Sequence, residues 1–323
     1  MLKKIVVLFV FLIFFALLGV YTFDKQTTSF GPSRETTSVI IPKGAGSRIV
    51  ANKLTEAGVV SSPLFFRILA RIKGVDTQLK AGEYEFPARI SMIDALNKMA
   101  SGDVVYHRIT LPEGKTSRQF LDLIDAHPLL SGEIGVYADE GEMLPETYSF
   151  TRDTPKDEVV RQAKEAMDKI AKRAWENRED GLPLKNIKQM IVLASIIEKE
   201  TSVPSERGLV ASVFVNRLIK GMRLQTDPTV IYAITNGEAE LGRALTRKDL
   251  KFDSPYNTYL YYGLPPGPIC NPSRESIMKA VNPDFSDYLY FVADGTGGHA
   301  FSRSLNEHNR RVSEWRKIRS TAN

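Results

Sequence analysis

The sequence predicts an α+β protein: a lone apolar helix at the N-terminus, a small βααβ module, and a larger mixed α+β body. Three observations carry that expectation. An uncharged apolar run covers 5–23, close to the ~20 residues a helix needs to cross a bilayer. Short strand-like segments at 39–41 and 79–86 bracket two amphipathic helical stretches. Beyond residue 106, long helical patterns give way to loop-rich text full of Gly, Pro and Tyr.

The first element reads as an anchor. Lys3 and Lys4 precede the run and Asp24 ends it. A cleaved signal peptide shares these ingredients, but the run is long and "LLGVYTFDKQ" offers no small-x-small cleavage site. The two lysines favour residues 1–4 in the cytoplasm and the rest outside. Polar, turn-forming text at 24–38 reads as a linker.

The module is expected at 39–105. A strand at 39–41 leads through a Gly-rich turn into a helix from Ser47, with Ile49, Val50, Leu54 and Ala57 on one stripe. Ser62-Pro63 starts a second helix and Gly74 ends it. "LKAGEYEF" supplies the second strand, and Ser91 caps a further helix at 91–102. This order is that of a LysM-type glycan-binding module, an order many small α+β modules share.

The body is expected at 106–323. A strand at 104–116 enters it, a helix runs from Ser117 to His127, and a charged amphipathic helix fills 154–180. The next helix, 184–202, stops before Pro204. Another ends at Gly221, and loops follow.

Composition narrows the chemistry. Hydrophobic residues make up 43% and charged residues 25% of 323, as in a chain with a packed core. The single cysteine, Cys270, forbids an internal disulfide and a cysteine-cluster metal site. The four histidines form no HExxH-like set, and no P-loop or GxSxG occurs. No cofactor and no metal are therefore expected. The net charge of +5 and the basic tail at 310–319 suit a solvated helix face or a polyanionic envelope; an exported body would not meet nucleic acid.

Within 184–202, Met190, Ile191, Ala194 and Glu198 fall at +3, +4, +7 and +11 from Ile187. Glu198 thus continues an apolar stripe, and a buried carboxyl should be pushed up in pKa, as a general acid requires. Glu200 is expected to point elsewhere, exposed or ion-paired. An ordinary ion pair is the competing reading for Glu198 as well.

"LASIIEKET", "RLQTDPTVIYA", "YNTY", "GLPPGPICNP" and "YLYFVADGTGGHAFS", in this order, closely resemble the MltG/YceG family of membrane-anchored endolytic murein transglycosylases. The resemblance runs from anchor to tail. It implies cleavage between N-acetylmuramic acid and N-acetylglucosamine within glycan strands, leaving 1,6-anhydro ends, in an enzyme of the inner membrane with its body outside. It places the catalytic glutamate on Glu198; Gln225, Asp227, Tyr256 and Asn257 are expected to position substrate or orient Glu198, and Asn271 to bind substrate. Peptidoglycan strands are the implied partner, with peptidoglycan synthases as possible company. One departure stands out: the family's usual "EGYLFPDTY" is here "EGEMLPETY" at 140–148. A water-using muramidase and a non-catalytic wall-binding scaffold remain as alternatives.

Overall fold

The computed structural model describes residues 2–321, which form two compact units. The first takes in the chain up to His107 together with Ser149–Thr154. It opens with α1, Leu2–Thr28, of which Lys3–Thr28 is long and apolar enough to cross a membrane.

Strands β1 (Thr37–Ile41) and β2 (Gly82–Phe86) pair antiparallel, with Val39 opposite Tyr84. Helices α2 (Ser47–Glu56), α3 (Pro63–Ile72) and α4 (Met92–Ser101) pack with them around Val50, Leu54, Phe66, Tyr84, Phe86 and Leu96. Two of these helix starts, those of α3 and α4, have a side-chain cap. Ser62 accepts from the Phe65 amide with Pro63 in the first turn, and Ser91 accepts from the Asp94 amide. Gly102 closes α4 in the left-handed conformation (φ 75°). Ser91→Ala is expected to cost about 1 kcal/mol of stability, read as a shift in the urea midpoint.

The expected linker at 24–38 is shorter than its composition suggests. Helix α1 continues through Thr28, and β1 begins at Thr37. Phe23 packs edge-on against Phe65 at 5.8 Å and Thr27 is buried, so tertiary contact extends the helix past its apolar run. The hydroxyls of Thr27 and Thr28 bond back to carbonyls one turn earlier.

The second unit holds Arg108–Tyr148 and the chain from Pro155 onward. Strand β3 (Tyr106–Thr110) leads to α5 (Ser117–Asp125), which a capping box of Thr116 and Gln119 starts. Two-residue strand β4 (Leu130–Ser131) follows, then β5 (Thr147–Thr151), which pairs with β3, and the short β6 (Thr154–Pro155). Helix α6 (Lys156–Glu176) precedes α7 (Ile187–Glu200), α8 (Arg207–Ile219), α9 (Asp227–Thr235) and α10 (Arg274–Val281). An antiparallel pair, β7 (Tyr290–Ala293) and β8 (His299–Ser302), and α11 (Leu305–Thr321) complete it.

Helix α7 is the axis of this unit. Every residue from Met190 to Ile197 is buried, as its all-round apolar character predicts, and α6, α8 and α10 surround it. Helix α9 corrects the sequence expectation, which left this stretch as loop. Pro228 in its first turn, just after Asp227, is a helix-start signal.

Candidate active site

The last turn of α7 carries Glu198, Lys199 and Glu200. Residues two apart on a helix face away from each other, so the two glutamates meet different surroundings. The Glu198 side chain is enclosed, 5% exposed, although the residue as a whole is partly buried. Its Oε1 accepts from Arg207 Nη2 at 3.3 Å. Its Oε2 accepts from the Ser273 amide at 2.9 Å and the Ser273 hydroxyl at 2.5 Å. Arg207 also reaches Glu113 at 3.2 Å. Glu198 therefore ties α7 to the start of α8 and to Ser273, the N-cap of α10. Both oxygens are engaged, one by the Arg207 guanidinium and the other by Ser273.

Glu200 overturns the expectation of an exposed or ion-paired residue. It is partly buried and lines a cavity of about 460 Å³ with Arg217, Gln225, Asp227, Tyr259 and Tyr290. The buried Thr226 hydroxyl donates to its Oε1. Burial pushes its carboxyl up to about 7; the charge of Asp227 adds to this, while Thr226, His299 and Arg217 oppose it. Glu198 is not among the residues that line this cavity.

The expected substrate residues divide in two. Gln225 and Asp227 stand in the cavity wall beside Glu200. Gln225 has φ 50°, a conformation that costs a non-glycine residue energy and persists where surrounding structure enforces it. That structure is the Thr258 loop: the Gln225 amide donates to Thr258 O, and the Thr226 amide to Thr258 Oγ1. Asp227 Oδ1 accepts from the Tyr259 hydroxyl at 2.6 Å.

Asn257 and Asn271, by contrast, are fully buried. Asn257 donates to Leu250 O and Phe252 O and accepts from the Tyr259 amide. Asn271 accepts from the Met143 amide and donates to Ser117 Oγ. Their amides hold loops and have no face left for a ligand. Tyr256 packs its ring on Tyr232 at 5.0 Å, against the core. Asn257 and Asn271 thus serve the surrounding loops, whereas Tyr256 keeps part of its surface exposed.

The divergent stretch 140–148 lines no part of this cavity. Leu144 is buried in the core, and Glu142 pairs with Lys164 at 2.7 Å. Glu140, which the sequence did not single out, is pushed up to about 7 by burial. It accepts from the Ser117 amide at 2.8 Å. Among the described residues no three His, Cys, Asp or Glu side chains gather into a metal-sized group.

Sequence reasoning also missed Arg217, Thr226 and Tyr259. The last two lie within quoted motifs; Arg217 had no signal beyond a cation in an apolar helix.

A model of the YceG-like family matches residues 39–314. The endolytic murein transglycosylase of Bacillus subtilis (strain 168) is 30% identical over 312 residues, covering 86% of this chain and 84% of that one. The endolytic murein transglycosylase of Streptococcus pneumoniae serotype 2 (strain D39) is 29% identical; the match covers 94% of this chain but 64% of the pneumococcal protein. The crystal structure of a YceG-like protein from Listeria monocytogenes superposes with a TM-score of 0.54 at 32% identity, covering 86% of this chain and 99% of that one.

Proposed function

The chain belongs to the YceG-like family, and on that premise we propose that it is an endolytic murein transglycosylase whose acid is Glu200. The lyase cuts between N-acetylmuramic acid and N-acetylglucosamine within a strand and leaves a 1,6-anhydro end. The observation that carries the assignment is a carboxyl raised to about 7 in the wall of an open cavity. Such a group still holds its proton near neutral pH, as protonation of a poor leaving oxygen requires. This moves the acid from Glu198, which the motif favoured, to its neighbour one turn-edge further on.

One carboxyl suffices for the chemistry. Glu200 gives its proton to the glycosidic oxygen as the bond from that oxygen to the muramic C1 breaks. The carboxylate left behind removes the proton of the C6 hydroxyl on the same sugar, and O6 closes on C1. Glu200 ends protonated, and no water is consumed. Ordinary glycosidases use two carboxyl groups. Here Asp227 is the second, and its part is electrostatic: bonded by Tyr259, it adds to the burial that raises Glu200.

The βααβ unit, which we take as 39–105, serves as a LysM-like glycan grip, and the catalytic domain spans 106–323. Helix α1, its apolar run at 5–23, anchors the protein in the inner membrane with the short end inside. The active site then works near emerging strands and limits their growth in company with synthases. Mass analysis of products from uncrosslinked glycan is the test. The anhydro ends expected are lighter by one water than the reducing ends a muramidase would leave. Reducing ends alone would refute the lyase; no cleavage at all would favour a wall-binding scaffold.

A further inference from the structure

Helix α8 contains two buried arginines, each 8% exposed, and their partners differ. Arg207 sits between two carboxylates, Glu198 and Glu113. Arg217 forms no ion pair among the described residues. Its Nε donates to Leu289 O at 2.7 Å and its Nη1 to Leu224 O at 2.6 Å. Its Cζ lies 5.2 Å from the centroid of the Tyr290 ring. A guanidinium has five N–H donors in a planar fork, so two backbone carbonyls lock the plane and leave an edge free. No nitrogen of Arg217 is sealed from solvent without a partner, and the residue lines the cavity that holds Glu200.

A buried cation with no direct ion-pair partner is costly to fold around, and Glu200 and Asp227 share its cavity wall without bonding to it. Planar, preset guanidinium edges suit carboxyl oxygens in particular. The substrate supplies one. In a murein strand the two alternating sugars present similar rings and hydroxyls, and the muramic residue alone carries a lactyl group ending in a carboxyl carbon. A fixed cation near the acid can therefore read which sugar lies there.

We propose that Arg217 is a specificity-determining residue that takes the carboxyl oxygens borne by the muramic residue and so sets which of the two alternating bonds meets Glu200. This rests on the transglycosylase reading and adds to it the choice of bond. The oxygens can come from the lactyl group itself or from a carboxylate on its stem peptide.

The test is equilibrium binding of short soluble glycans to the full chain carrying Glu200→Gln, which prevents turnover. Four ligands are compared: a stem-free murein tetrasaccharide, its stem-bearing form, the stem-free form with the lactyl carboxyl reduced to an alcohol, and a chitin tetrasaccharide. The two carboxyl-bearing ligands are expected to bind at least tenfold tighter than the reduced and chitin ligands. Adding Arg217→Gln should collapse that ratio towards one, and Arg217→Lys should restore part of it. Preference for the stem-free form assigns the lactyl carboxyl, and preference for the stem-bearing form assigns the peptide. Equal binding of the carboxyl and reduced ligands overturns the proposal without any Arg217 variant, so a misfolded variant does not protect it. An unchanged ratio in Arg217→Gln overturns it too. Absence of anhydro product from wild type would instead strike the lyase reading, with the binding ratio still to be read.

Discussion

Glu200→Gln is expected to lower the rate of anhydro-product formation by ~10²–10⁴-fold, the range that acid–base catalysis contributes. Glutamine keeps the shape and can still accept from Thr226, but it has no proton to give. The same substitution should make the folded protein more stable at neutral pH. Glu200 ionises near 4.5 when unfolded and near 7 when folded. Below 4.5 both states are protonated and nothing is lost. As pH rises to about 7 the unfolded chain gives up its proton while the folded one holds it, so stability falls. Above 7 the penalty stays constant, on the order of 3 kcal/mol at 1.36 kcal/mol per unit. Urea unfolding at pH 4 and pH 8 reads this directly: wild type and variant converge at the lower pH and separate at the higher. The activity of wild type should decline above about pH 7 as the acid form disappears. Glu140 is also raised to about 7 but lies outside the cavity; Glu140→Gln should leave the alkaline limb in place. Full activity in Glu200→Gln would remove the assignment outright.

Much of this architecture was readable from residue order, because its signals are local. Ser62-Pro63 and Ser91 start helices where side-chain oxygens meet free amides, and the apolar text of α7 announces a buried helix. The choice between two glutamates was not readable, and periodicity itself is the reason. Glu198 lies seven residues after Ile191 and four after Ala194; Glu200 lies seven after Leu193, four after Ile196 and three after Ile197. In a helix apolar on every side, each late position continues some stripe, so the stripe argument has no power to choose. What separates them comes from distant chain: Arg207 and Ser273 close around one, while Thr226 and Asp227 stand by the other. Asn257 and Asn271 failed for a related reason. An amide beside a Pro or Tyr in a loop can serve a ligand or the loop, and only burial tells which. The linker misreading was tertiary as well, since Phe23 and Thr27 had to find the module before 24–28 could stay helical.

Glu198→Ala should cost stability where Glu200→Gln adds it. The pair with Arg207 is buried on both sides, at 9% and 5% exposure. Removing one partner of such a pair typically costs about 3–5 kcal/mol, because the other charge stays behind desolvated. Glu113 still offers Arg207 a carboxylate, half-exposed at 49%, which places the loss at the lower end, about 3 kcal/mol. The Ser273 amide and hydroxyl lose their acceptor in the same step, and with them the junction of α7 and α10 loosens. Urea unfolding monitored by circular dichroism measures the cost, and turnover normalised to the folded fraction measures the chemistry. Appreciable activity per folded molecule is expected in Glu198→Ala, with the alkaline limb near pH 7 unmoved. A catalytic Glu198 demands the reverse pattern, a folded protein that forms no product. The two substitutions, two residues apart on one helix turn, thus oppose each other in stability and in activity, and one paired experiment decides which carboxyl carries the proton.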